Sequence, residues 1–122
     1  MNIINKESEY ALLILDYLAK FSNDKIIGSK EISSGLCISP NITLKLLRTL
    51  TSKKILKSFR GKEGGYMLVK KNINYYEIIE LIQGKIFKKK TKDNENKILL
   101  SLYEFNQSYI KKLKSAKIGS NL

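Results

Sequence analysis

Apolar residues near the start of the chain recur at helical spacing. Tyr10, Leu13, Ile14, Tyr17, Leu18 and Phe21 fall at i, i+3, i+4, i+7, i+8 and i+11. The pattern predicts a helix over residues 8–21 with one broad apolar face. The polar stretch 22–25 ends it, and Ile26-Ile27 has the length of a very short strand. Ser29 suits the N-cap of a second helix reaching Ser34, with Gly35 as its left-handed stop. After Leu36-Cys37-Ile38, Ser39 caps a third helix. Pro40 takes its first position, where a missing N–H costs nothing, and the pattern runs to about Lys53. Two helices joined by a tight glycine-containing turn make a helix-turn-helix layout.

Residues 55–59 and 66–69 have the length and composition of strands. Between them lies Arg60-Gly61-Lys62-Glu63-Gly64-Gly65, a glycine-rich hairpin tip. A hairpin directly after the second helix of a helix-turn-helix is a wing. Asn74 opens a fourth helix, with Glu77 three residues on completing a capping box. Ile78, Ile79, Leu81 and Ile82 form its apolar side and Gly84 ends it. A lysine-rich loop, 85–92, leads to a long helix capped by Asp93 or Asn94 and running to about Ser115. Its apolar positions are Ile98, Leu99, Leu102, Phe105, Tyr109, Ile110 and Leu113. The predicted class is mainly α with a small β-hairpin. A winged helix-turn-helix domain occupies 1–84, the loop 85–92, the long helix 93–116 and a flexible tail 117–122.

Composition narrows what such a domain does. The 122 residues amount to one domain, with 43% apolar and 28% charged residues, an ordinary globular balance. No apolar run approaches the roughly 18 residues of a membrane span. The run 10–15 follows Glu7 and Glu9 and stops at Asp16, unlike a signal segment, so a cytoplasmic location is expected. There is one cysteine, Cys37, and no histidine. That excludes an internal disulfide and a Cys/His zinc site, and removes the commonest general base. No nucleophile–base pair is visible, and the chain reads as a non-enzyme.

Charge is the stronger signal. Lys and Arg number 23 against 11 acidic residues, a net +12. A lysine-rich composition alone gives a net charge, but not its concentration. Residues 40–72 hold nine basic residues and one acid, Glu63, whereas residues 1–39 hold four lysines and five acids. A basic stripe on one structural unit is the footprint of phosphate binding. On a helical wheel, residues 40–53 put Ile42, Thr43, Leu46, Leu47 and Leu50 on one side. Asn41, Lys45, Arg48 and Ser52 lie opposite, with Thr49 at the edge. Asn can pair with adenine and Lys or Arg with guanine, while all can hold phosphate. An ordinary solvated helix face has the same look, so the wheel alone leaves both readings open. The arginines favour the first. Of 21 Lys and two Arg, both Arg fall in this segment, Arg48 on the polar helix face and Arg60 at the hairpin tip, and a planar guanidinium is not interchangeable with an ammonium. Gly61, Gly64 and Gly65 let the tip turn and let backbone N–H groups approach phosphate; a plain flexible turn is the other reading. Glu63 is expected to point away. Cys37 is expected to be a small buried residue of the turn, a reactive thiol beside a helix N-terminus being the alternative.

Several of these residues together resemble the Rrf-two family of bacterial winged-helix regulators. They are Gly35-Leu36-Cys37-Ile38-Ser39, Leu46 and Leu50, Ile55-Leu56, and the pattern S-x-R-G-x-x-G-G-Y-x-L from Ser58 to Leu68. Tyr10 to Ala19 is similar to the family's first helix and Glu77 to Gly84 to a segment downstream of its wing. The resemblance covers about residues 8–84, and beyond them is a match of length and helix only. It implies a sequence-specific transcriptional regulator, a repressor, that binds double-stranded DNA as a homodimer on a pseudo-palindrome. Helix 40–53 would lie in the major groove and Arg60 in the minor groove. Ser39, Asn41, Lys45 and Arg60 match DNA-contacting positions, and Arg48, Gly61, Gly64 and Gly65 complete the expected DNA-binding set. Ile42 stands where relatives often carry Tyr, which implies a different target sequence. The long helix would form the dimer interface through Leu99, Leu102, Phe105, Tyr109 and Leu113. Iron–sulfur members carry three cysteines in the loop after the fourth helix, and residues 85–92 contain none. The chain therefore resembles the cluster-free branch of cysteine-metabolism repressors, with no cofactor, no metal and no membrane contact. A small-molecule or protein co-regulator is left as the sensing partner. Lys88 to Lys92 read as a solvated loop, contact with flanking phosphate being the alternative. Two alternatives stay open: a basic nucleic-acid binder without sequence choice, and a winged-helix module that binds protein.

Overall fold

A computed structural model describes residues 4–21, 25–84 and 97–119, without the side chains of residues 97, 99, 100 and 103. The loop 85–92, the cap of the long helix and the end of the tail, all addressed above, lie outside the described residues. In chain order the elements are α1 (Lys6–Lys20), α2 (Ser29–Leu36), α3 (Pro40–Ser52), β1 (Leu56–Phe59), β2 (Gly65–Leu68), α4 (Tyr75–Gln83) and α5 (Lys97–Ser115). The strands form a two-stranded antiparallel hairpin, Leu56 opposite Leu68 and Phe59 opposite Gly65. Helix-turn-helix, wing and long terminal helix follow the expected order.

The core forms where α1 packs against α2, α3, α4 and β2. Ala11, Ile14, Leu15 and Leu18 of α1 meet Ile32, Leu46, Leu47, Leu50, Leu56 and Ile78 in one buried cluster. Each such aliphatic side chain contributes about 1.5–3 kcal/mol by leaving water. The buried face of α1 matches the predicted one at Ile14 and Leu18 but is rotated from it. Leu13 and Phe21 are exposed, while Ala11 and Leu15 are fully buried. Residues 10–15 are apolar without a break, so periodicity cannot single out one face, and neighbours on several sides select the buried one. The helix also begins earlier than expected. Asn5 is its N-cap, and its side chain accepts from the backbone N–H of Ser8.

The entry to α2 and its exit differ from expectation as well. Gly28, not Ser29, is the N-cap, and Gly35 lies inside the helix. A Cβ at Gly35 would stand 2.9 Å from the outer end of the Tyr17 ring, which would have to shift to admit it. The left-handed residue is Cys37, with φ 56° and ψ 41°. It is exposed, not buried. Ser33 holds this turn from below: its hydroxyl donates to the Ile38 carbonyl, and its own carbonyl accepts from the Ile38 N–H at 3.1 Å. Buried Ile38 then anchors the start of α3.

α3 opens as predicted, with Ser39 accepting from the Ile42 N–H and Pro40 in the first turn. It closes with Lys54 left-handed and the Ile55 N–H donating to Leu50 O at 3.0 Å. This is the hydrogen bonding of a Schellman stop, in which Ile55 turns inward as the chain enters β1. α4 has the predicted capping box between Asn74 and Glu77. The residues after α5 are docked rather than frayed as far as Ile118. The Tyr75 N–H donates to Ala116 O, Lys117 bridges Asn74, and the Ile118 N–H donates to Ile73 O at 2.8 Å.

Candidate nucleic-acid interface

The two faces of α3 separate as the wheel predicts. Thr43, Leu46, Leu47 and Leu50 are buried, whereas Asn41, Lys45, Arg48 and Ser52 are exposed. Ile42 and Thr49 lie at the boundary, half-buried. Ser39, at the helix mouth, is exposed too. The helix is therefore held by one side and presents amide, ammonium and guanidinium groups on the other.

β1 packs directly on α3, so the hairpin stands next to this helix. At its tip, Gly61 has φ 107°, a conformation that favours glycine, and its carbonyl accepts from the Gly64 N–H at 3.0 Å. Arg60 is exposed at this turn, as are Lys62 and Glu63. Lys57 projects from β1 with its ammonium 5.3 Å from the Phe59 ring centre. Thr51, Lys54, Lys57 and Val69 border a shallow opening of about 350 Å³ between the end of α3 and the hairpin.

Gly64 and Gly65 have a task the sequence reading did not see. A Cβ on Gly64 would collide with the Phe59 carbonyl, and one on Gly65 with the Ile27 carbonyl. Gly64 is crowded by the hairpin's own backbone, and Gly65 by a third backbone segment. The Ile27 N–H donates to Tyr66 O and the Tyr66 N–H to Ile27 O, each at 2.9 Å. The short strand suspected at Ile26-Ile27 is thus a single bridge, and it ties the tip end of β2 to the segment before α2. Close backbone approach within the chain accounts for both glycines.

Of the nine basic residues in 40–72, only Lys45 and Lys70 have an acidic partner among the described residues. Lys45 Nζ lies 2.9 Å from Glu7 Oε1, and Lys70 Nζ 2.9 Å from Glu77 Oε2. The Glu7 contact joins residues 38 apart in sequence, and nothing in the spacing signals it.

The long helix does not behave as one continuous interface. Leu113, expected to face a partner, is buried within the chain where α5 runs alongside α4. Tyr109 is half-buried, and the side chain of Leu99 lies outside the described residues. Ile98, Leu102 and Phe105 are 71%, 54% and 66% exposed.

A family model described as "Rrf2: Iron-dependent Transcriptional regulator" matches residues 4–116. The chain belongs to the Rrf2 family. It is 30% identical over 82 residues to the protein named HTH-type transcriptional regulator YffB of Lactococcus lactis subsp. lactis (strain IL1403), a match covering 66% of this chain and 51% of that protein. It is also 30% identical over 79 residues to the similarly named YwgB of Bacillus subtilis (strain 168), covering 63% and 51%. The chain spans about half the length of the curated relatives it matches. Among solved structures, CymR (YrzC), the global cysteine regulator of B. subtilis, superposes with TM-score 0.83 at 26% identity, covering 97% of this chain and 94% of that one. IscR of T. potens superposes with TM-score 0.76 at 21% identity, covering 94% and 82%, a likeness of fold. The mainly helical winged-helix fold is that of the Rrf2 family, and its relatives are regulators rather than enzymes.

The family description names iron, and the donors of this chain do not fit it. There is no histidine and one cysteine, exposed Cys37 in the α2–α3 turn. Among the described residues no three His, Cys, Asp or Glu side chains come together as a metal site would require. Among those residues, too, no helix is long and apolar enough to cross a membrane.

Proposed function

We propose that this Rrf2-family chain is a sequence-specific DNA-binding transcriptional regulator, a repressor, that reads a pseudo-palindromic operator in the cytoplasm as a homodimer. The observation that carries the reading is the exposed face of α3. It offers Asn41, Lys45 and Arg48 to solvent beside a wing tipped by Arg60. An α-helix fits the major groove of B-DNA, where such side chains distinguish base pairs, and an arginine on a flanking loop suits the narrow minor groove. At the mouth of the helix, exposed Ser39 accepts from the Ile42 N–H and keeps its hydroxyl proton for a phosphate.

The exposed stripe Ile98, Leu102 and Phe105 on α5 supports the homodimer, because these positions share one helix face and an apolar stripe in water favours burial against a partner. Two copies related by a two-fold axis would read half-sites about 34–36 Å apart or a multiple of that. DNA affinity is set by a small molecule or a protein partner rather than by an iron–sulfur cluster, since the chain lacks the thiolates a cluster needs.

Selection of bound duplexes from a random pool at stated salt tests the reading. A two-fold symmetric consensus is the expected result. A structureless AT-rich average would instead identify a basic binder without sequence choice.

A further inference from the structure

The ion pair between Glu7 and Lys45 is an unexpected feature of a surface meant for DNA. Lys45 projects from the exposed face of α3, one turn beyond Asn41. Its ammonium meets Glu7 Oε1 at 2.9 Å, the two side chains being 65% and 43% exposed. Glu7 is not on a loose tail. It stands in the first turn of α1, and that turn is clasped to the end of α4. The Asn5 side chain accepts from the Ser8 N–H at 2.8 Å, while Gln83 Oε1 accepts from the Asn5 N–H at 2.9 Å and from the buried Ser8 hydroxyl at 2.7 Å. The backbone that carries Glu7 is thus held at a fixed place on the flank of α3.

We propose that Glu7 is a specificity-determining residue that positions Lys45 and restrains it from indiscriminate phosphate contact. The inference rests on the DNA-reading function above. Complexes with non-operator DNA are held almost entirely by phosphate contacts, so each free ammonium on the surface strengthens them. Glu7 neutralises Lys45 there and adds its own repulsion toward phosphate. On the operator, a lysine head already held in one direction loses less conformational freedom when it makes its contact. An exposed ion pair is also weak enough for a well-placed base or phosphate oxygen to displace. One carboxylate therefore lowers background affinity more than operator affinity.

The test compares wild type, Glu7→Gln, Lys45→Ala and the double variant. Each is put through selection from a random pool, then titrated with the selected duplex and with a scrambled duplex at several salt concentrations. Thermal unfolding checks that each variant is folded. Glu7→Gln is expected to bind scrambled DNA about three- to tenfold more tightly, with a salt slope steeper by about one. Its operator affinity rises by less, and its consensus broadens. In the Lys45→Ala background the Glu7→Gln change leaves the operator-to-scrambled ratio unmoved. Equal gains on both duplexes, or a ratio change that persists without Lys45, overturn the inference while DNA reading stands. If wild type selects no consensus, the functional reading falls and this inference with it.

Discussion

At the residue scale, Asn41 and Lys57 separate two kinds of contact. Both are exposed, Asn41 in the first turn of α3 and Lys57 on β1. Asn41 has a donor and an acceptor fixed side by side, the geometry that matches one base edge. Lys57 carries a mobile point charge, which matches any phosphate. Asn41→Ala should cost about 1–3 kcal/mol on the operator and relax the preference at one base position per half-site. Lys57→Ala should weaken all duplexes by a similar factor and reduce the salt slope by about one. Titration of operator and single-base variants across salt distinguishes them, and identical behaviour of the two variants would refute specific readout. The face that Asn41 occupies is legible in sequence because one helix wheel suffices to define it. The turn before α3 is less so. A glycine near a helix end suggests a left-handed stop, yet Gly35 lies inside α2 against the Tyr17 ring and Cys37 takes the left-handed position. The competing demand comes from α1, eighteen residues earlier in the sequence, and no local rule contains it.

At the scale of elements, the wing is held at both ends of its second strand. Leu68 pairs back to Leu56, while Tyr66 exchanges two hydrogen bonds with Ile27. A methyl group on Gly65 would meet the Ile27 carbonyl, which is backbone and has little room to yield. Gly65→Ala should therefore destabilise the protein by about 1–3 kcal/mol and weaken DNA binding by displacing Arg60. Gly61→Ala has open space and acts through backbone conformation alone, at a smaller cost of about 1–2 kcal/mol. Chemical denaturation of the two variants gives the order, and the reverse order would contradict the packing account. The hairpin itself was predictable, since two short apolar runs flank a glycine-rich turn. Its tie to Ile27 was suggested only by a two-residue apolar pair. The buried face of α1 was predicted out of register because its apolar run is continuous. The capping box of α4 was correct because Asn74 and Glu77 act on each other locally.

At the scale of the whole molecule, α5 divides between two tasks. Its C-terminal half serves the chain itself. Leu113 is buried beside α4, the Lys114 ammonium lies 5.0 Å from the Tyr76 ring centre, and Ala116 and Ile118 continue the attachment through the backbone. Its N-terminal half exposes Ile98, Leu102 and Phe105 to solvent along one face. Substitutions along one helix should therefore fall into two classes. Phe105→Asp should leave the folded monomer within about 0.5 kcal/mol of its starting stability, because an exposed side chain contributes little to an isolated chain. It should abolish self-association in sedimentation and cost most of the operator affinity, since one half-site remains. Leu113→Ala removes buried volume and should destabilise the fold by about 2–5 kcal/mol. The dependence of Tm on protein concentration adds a second readout. Association with the folded state raises Tm as concentration rises, so wild type should show the dependence and Phe105→Asp should lose it. A wild-type Tm independent of concentration, together with a monomeric mass at the concentrations used for DNA binding, would remove the homodimer from the proposal and leave α3 to read a single half-site.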